Sequence, residues 1–145
     1  MKQSIENEPI KEAVVKRARR AKNKRHQADE TEKLVKTIIE ALQDKKGKNI
    51  VSINISSIEG TICDYFIVCH GDSTTQVDAL ANSVEKMVKE VMGEKPRHVE
   101  GMENSMWVLL DYADVVVHVF LNEQRDFYKL EDLWADGIFT KYNAE

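Results

Sequence analysis

The chain has 145 residues, of which 42% are hydrophobic and 32% charged, with two cysteines and a formal net charge of -4. This length supports one compact domain of roughly 100 to 120 residues plus a tail. No apolar run approaches the ~20 residues of a membrane-spanning helix, and no charged start leads into a secretory apolar segment, so a soluble cytoplasmic protein is expected.

The charge is unevenly spread. Residues 1–25 carry nine basic and three acidic side chains, a net +6, which leaves 12 basic against 22 acidic residues and a net of -10 for the remainder. Wrapping nucleic acid needs clustered Lys and Arg, so an acidic body suits a basic protein partner better. Residues 1–28 are read as a basic, disordered or loosely helical extension, because Lys16, Arg17, Arg19, Arg20, Lys22, Lys24 and Arg25 leave little to bury. Its role stays open among an electrostatic arm for RNA, a targeting sequence and a solvated extension, and Glu6, Glu8 and Glu12 weigh against targeting.

A folded domain is expected over residues 29–140, followed by a tail at 141–145. Asp29-x-x-Glu32 has the form of a capping box, and Leu34, Val35, Ile38, Ile39 and Leu42 recur at helical spacing up to a stop at Gly47. Val51, Ile53 and Ile55 alternate with Ser52 and Asn54 as in a half-covered strand, whereas Tyr65 to Cys69 is apolar throughout, as in a central strand covered on both faces. Ser73-x-x-Gln76 is a second capping box. It launches a helix with a stripe of Val77, Leu80, Ala81, Val84, Val88 and Val91, stopped by Gly93 and Pro96. Met106 to Leu110 and Val115 to Phe120, joined by Asp111-Tyr112-Ala113-Asp114, have the spacing of an antiparallel hairpin. Phe127, Leu130 and Trp134 fall on one side of a closing helix or pair of turns. The expected fold class is α/β, a single mixed β-sheet packed with helices.

Few residues invite chemistry. Gly71 and Ser73 after a strand could offer amides to a phosphate, as in nucleotidyltransferases, but Asp111 and Asp114 are spaced as turn residues rather than as a magnesium-binding pair on one strand face. His118 sits between Val117 and Val119, with no nucleophile beside it in sequence, and reads as a structural hydrogen-bonding residue. His70 and His98 are assigned nothing. Cys63 and Cys69 lie in apolar sequence as free thiols, spaced for neither a redox pair nor a zinc half-site, so no metal and no cofactor are expected. Trp107 shares a strand face with Leu109 and is either a contact anchor or a core residue.

Several motifs in order resemble the Iojap-related ribosomal silencing factors: Asp64-Tyr65-Phe66, Gly71-x-Ser73-x-x-Gln76, Glu100-Gly101, Trp107 with Asp111, Asp114-Val-Val-Val-His118, and Arg125-x-x-Tyr128-x-Leu130-Glu131-x-Leu133-Trp134. The resemblance spans about Asp29 to Phe139. It implies a nucleotidyltransferase-like α/β fold without transferase activity, and a partner, the fourteenth protein of the large ribosomal subunit. Binding there would hinder subunit joining and lower translation, with homodimers formed by the free protein. It places Trp107, Leu109, Tyr112, Asp114 and Glu103 toward that partner, and Asp64, Ser73, Gln76 and His118 in strand ends and the helix cap. The competing readings are a nucleotide-binding or nucleotidyltransferase-like enzyme and a large-subunit assembly factor. Two departures from the family pattern stand out: Ala113 occupies a common glycine position, and the basic extension has no counterpart.

Overall fold

The computed structural model describes residues 25–61 and 63–142. The expected basic extension thus lies outside the described residues, except for its last four positions. In chain order the elements are α1 (Arg25–Asp44), β1 (Lys48–Asn54), β2 (Tyr65–Gly71), α2 (Thr74–Met92), β3 (His98–Glu100), β4 (Trp107–Asp111), β5 (Val115–Leu121), α3 (Asn122–Tyr128), α4 (Leu130–Leu133) and β6 (Ile138–Tyr142). The six strands form one mixed sheet in the order β3-β4-β5-β2-β1-β6. Only the central pair, β2 and β5, is parallel. No described helix is long and apolar enough to cross a membrane.

Both sides of the sheet are covered, as the continuously apolar β2 and β5 require. On one side, Ile38, Leu42, Leu80, Val84 and Val88 of α1 and α2 pack on Ile67, Cys69, Val115, Val117 and Val119. On the other, Ile53, Phe66, Val68, Val116 and Phe120 lie under Leu130, with Tyr128 and Trp134 partly buried against them. Cys63 and Cys69 are buried free thiols, and burial pushes the Cys69 thiol up to about 12.

Four local expectations change. The first helix begins at Arg25, so Asp29 lies inside it and does not cap it, because no breaker separates residues 25–28 from the amphipathic run. At its other end Lys46 takes the left-handed position (φ 60°), while Gly47 is needed for close approach, since an added Cβ would lie 3.2 Å from the Leu42 carbonyl and from Leu80. The closing segment is two short helices broken at left-handed Lys129 (φ 45°), which turns Phe127 to solvent, 57% exposed, and brings Tyr128, Leu130 and Trp134 inward. Finally, Lys141 and Tyr142 complete β6 rather than a tail, and Tyr142 Oη pairs with Ser52 Oγ at 3.1 Å.

Candidate functional site

The helix cap after β2 forms as its sequence requires. The Gln76 amide donates to Ser73 Oγ at 3.1 Å, and Gln76 Oε1 accepts from the Asp72 amide at 2.9 Å. Gln76 Nε2 reaches back to the carbonyls of Lys45 and Lys46 at 3.3 and 3.1 Å, so one side chain ties the start of α2 to the end of α1. These bonds occupy the Asp72 and Gln76 amides, two of the donors that a phosphate could use at this helix start. Asp72 further places a carboxylate there, bridged to Lys48 at 3.1 Å. Asp111 is buried and accepts from the Ala113 amide at 2.8 Å, the turn role expected from its spacing. The Asp114 carbonyl takes the amides of Asp64 and Tyr65 at 2.8 and 3.1 Å, and its carboxylate accepts from Thr31 at 3.4 Å, so the hairpin turn is fastened to β2 and α1. Among the described residues no cluster of three or more His, Cys, Asp or Glu is arranged to hold a metal.

The sheet face opposite α1 and α2 carries a run of rings. Trp107 stacks on Phe120 (4.8 Å between centroids) and meets Tyr128 (4.9 Å), while His118 and Trp134 each approach Phe66 edge-on at 5.1 and 5.2 Å. Trp107 Nε1 donates to His118 Nδ1 at 3.1 Å, which leaves the His118 proton on Nε2, where the described residues supply no partner. Burial pushes this histidine down to about 3, so it is a neutral acceptor around neutral pH. Trp107 is half-buried and combines the two roles left open by the sequence, packing against Phe120 and Tyr128 while part of its surface stays accessible.

Beside Trp107 the apolar surface continues outward through Tyr128 and Phe127, whereas Met106, 38% exposed, is one residue from Trp107 along the strand and so belongs to the opposite sheet face. The Met106 carbonyl accepts from Leu121, which prolongs the β4–β5 pairing to this corner. Glu103, exposed, projects from the loop between β3 and β4. That loop turns at Gly101 (φ 92°), where an added Cβ would lie 2.0 Å from the Trp107 carbonyl, so only glycine fits beside the tryptophan. Exposed Glu123 on α3 adds a further carboxylate, whereas exposed Asp126 lies on the side of that helix toward Asn49 and His70.

The five residues expected to face a partner are therefore not one surface. Trp107 and Glu103 belong to this corner, whereas Tyr112 and Asp114 lie beyond the far end of β4, roughly 13 Å along a five-residue strand. Leu109 and Tyr112 are buried, at 1% and 6% exposure, in opposite cores, because alternation sends them to different sheet faces.

Sequence reading gave no role to Arg125, which is buried at the base of the same corner. Its guanidinium donates to the Asn49 carbonyl (2.9 Å), to His70 Nδ1 (3.0 Å) and to Glu131 (2.6 Å), pinning α3 and α4 to β1 and β2. Burial, and then Arg125 itself, hold His70 below the usual histidine range. The signal was present as the Arg125-to-Glu131 spacing, which becomes readable only once Lys129 breaks the helix between them.

The family model described as "Ribosomal silencing factor during starvation" matches residues 26–144, nearly the whole described fold. The chain belongs to this family. Among its relatives, the ribosomal silencing factor RsfS of Halalkalibacterium halodurans is 41% identical over 106 residues, covering 73% of this chain and 89% of its own. A crystal structure of a Chromobacterium violaceum protein superposes with a TM-score of 0.68 at 44% identity, covering 72% of this chain and 85% of that one. A more distant relative, mouse "Mitochondrial assembly of ribosomal large subunit protein 1", is 28% identical over 110 residues, covering 74% of this chain and 48% of its own. Within the silencing factor family the matched region includes both the aromatic corner and the self-capped Ser73–Gln76 turn.

Proposed function

We propose that this silencing factor lowers translation by binding the large ribosomal subunit through its fourteenth protein and sterically blocking the small subunit from joining, with no reaction catalysed. The observation that carries this reading is the corner of Trp107, Phe127 and Tyr128, an apolar and aromatic surface with the exposed carboxylates of Glu103 and Glu123 on the neighbouring loop and helix. Aromatic anchors inside a charged rim are what a protein interface uses, and carboxylates steer a basic ribosomal protein while discouraging bare RNA. Trp107 and Glu103 act there directly. Leu109 and Tyr112 support the surface from the two cores, and Asp114 fixes the hairpin that carries it.

The self-capped Gly71–Gln76 turn supports a binding role over an enzymatic one, since its Asp72 and Gln76 amides are already paired and Asp72 adds a carboxylate beside the helix start. A nucleotidyltransferase-like ancestry of the fold is compatible with such a turn having lost its ligand. In this reading the protein works in the cytoplasm without a cofactor, the basic extension touches ribosomal RNA near the docking point, and free protein associates with itself.

Sucrose-gradient sedimentation of mixed subunits tests the proposal. Added protein is expected to comigrate with the large subunit and reduce the joined fraction; folded protein that binds neither particle, or binds without changing joining, would defeat it. The mouse relative's printed name favours one second reading, an assembly factor for the same subunit. Preferential sedimentation with immature rather than mature large subunits would select it.

A further inference from the structure

A cavity of about 710 Å³ opens on the α3–α4 side of the sheet, beside β1 and β6. Its size lies within the roughly 300 to 1,000 Å³ of small-molecule sites. The pairing of β1 with β2 slips between Lys48 and Val51, and such bulges gather next to functional sites. Asn49, inside that slip, lines the cavity and gives its carbonyl to Arg125 at 2.9 Å. Lys129, left-handed at φ 45° between α3 and α4, lines it as well. No residue of the self-capped Gly71–Gln76 turn does so.

The lining offers two kinds of contact. His70 is 8% exposed and forms part of the wall. A guanidinium can only donate, so His70 Nδ1 accepts from Arg125 at 3.0 Å; the ring proton therefore sits on Nε2, and no described residue accepts it. Asp126, whose charge acts on the same imidazole, lines the cavity too. A hydroxyl satisfies both, accepting from the imidazole N–H and donating to the carboxylate. The second kind of contact is cationic. Lys129 and Lys141 are exposed and have no carboxylate partner among the described residues, whereas Arg125 is already neutralised by Glu131. Two unpaired ammonium groups suit a phosphate, which brings a charge near -2 and three strong acceptor oxygens. Asp126 and Asp132 in the same lining set a limit on that charge, because a di- or triphosphate would bring more than two lysines balance.

We propose that this cavity binds a small phosphate monoester bearing hydroxyl groups, its phosphate held by Lys129 and Lys141 and one hydroxyl bridging His70 Nε2 and Asp126. The site stands independently of ribosome binding.

Sugar phosphates and nucleoside monophosphates share this chemistry, so ribose 5-phosphate, AMP and inorganic phosphate are each titrated into the full-length protein while NMR follows the His70 imidazole and the backbone amides. Ribose 5-phosphate is expected to shift the His70 Nε2 signal and the amides of Lys129 and Lys141 saturably. It should bind roughly tenfold more tightly than inorganic phosphate, which lacks the bridging hydroxyl. AMP binding as tightly or more tightly assigns a nucleotide, and AMP excluded while ribose 5-phosphate binds assigns a sugar phosphate. Lys129→Gly removes a cation at a left-handed position that glycine adopts more easily, so the fold is kept while affinity for ribose 5-phosphate falls roughly three- to fivefold. Adding Lys141→Gln is expected to bring the loss to roughly tenfold. The proposal is overturned if neither organic phosphate shifts His70, if inorganic phosphate binds as well as ribose 5-phosphate, if the double variant keeps wild-type affinity, or if the shifts are confined to the basic residues 1–25.

Discussion

Trp107 and His118 are joined through their rings at 3.1 Å, indole donor to imidazole Nδ1, from diagonal positions on neighbouring strands β4 and β5. This bond fixes the partly exposed tryptophan from below. It also requires a neutral histidine, which connects the proposed docking corner to pH.

Burial holds His118 down to about 3, whereas an unfolded histidine titrates near ~6.5. Between those values the unfolded chain binds the proton and the native one does not, so the contribution is complete above pH ~6.5 and is lost as pH falls toward 3. His70 acts in the same direction. The urea midpoint of the wild type is expected to fall between pH 7 and pH 4, and to fall less in His118→Gln, which keeps an acceptor for Trp107 but does not titrate. Parallel slopes for the two proteins would count against this role.

Ala113 occupies a left-handed backbone conformation, φ 77°, between Tyr112 and Asp114. A Cβ there costs about 1 kcal/mol relative to glycine, part of which is offset by the greater freedom of a glycine in the unfolded chain. Ala113→Gly is expected to raise the denaturation midpoint slightly without changing the slope. A lower midpoint would mean that the turn relaxes around alanine without strain.

Arg125 carries donors in a planar fork, and its partners sit in three directions: the Asn49 carbonyl, His70 and Glu131. Arg125→Lys cannot span all three, and Arg125→Met leaves Glu131 and the carbonyl without their donor. Each is expected to lose about 3 kcal/mol, reduced to the extent that Glu131 reaches water. Hydrogen exchange should show the loss first as faster exchange in α3 and α4. A variant with wild-type protection there would show that packing of Tyr128 and Leu130 suffices alone.

Phe127 is exposed and contributes little to the core. Phe127→Ser is expected to leave thermal stability within about 1 kcal/mol of wild type. Binding to large subunits should weaken at least tenfold, as for loss of aromatic anchors. Unchanged pelleting with large subunits would move the docking surface elsewhere.

The strands, the two long helices and the hairpin were legible because each carries its period or its punctuation within a few neighbouring residues. Ser73 and Gln76 announce a cap, and Gly93 with Pro96 announces a stop. Less legible were β3 and β6. β3 has three residues, too few for a period, and β6 is exposed along its length, so Ile138 to Tyr142 lacks the alternation that marks a half-buried strand. The helical spacing of Phe127, Leu130 and Trp134 misled for a related reason. Lys129 adopts a conformation that its side chain does not advertise, and one left-handed residue rotates everything after it.

By itself the sequence determined the class of fold, the self-capped turn after β2, the acidic body and, through motifs kept in order, the resemblance to ribosomal silencing factors. These are local or compositional properties, written in spacing and charge. Only the tertiary structure decided that Trp107 and Glu103 share a corner while Tyr112 and Asp114 lie at the other end of the strand, that Leu109 and Tyr112 belong to opposite cores, and that Arg125 holds the corner in place. Alternation fixes which residues share a strand face, but not which end of that strand is covered. The cover comes from α3 and α4, whose placement depends on a buried guanidinium and one left-handed lysine far along the chain from the strands they meet.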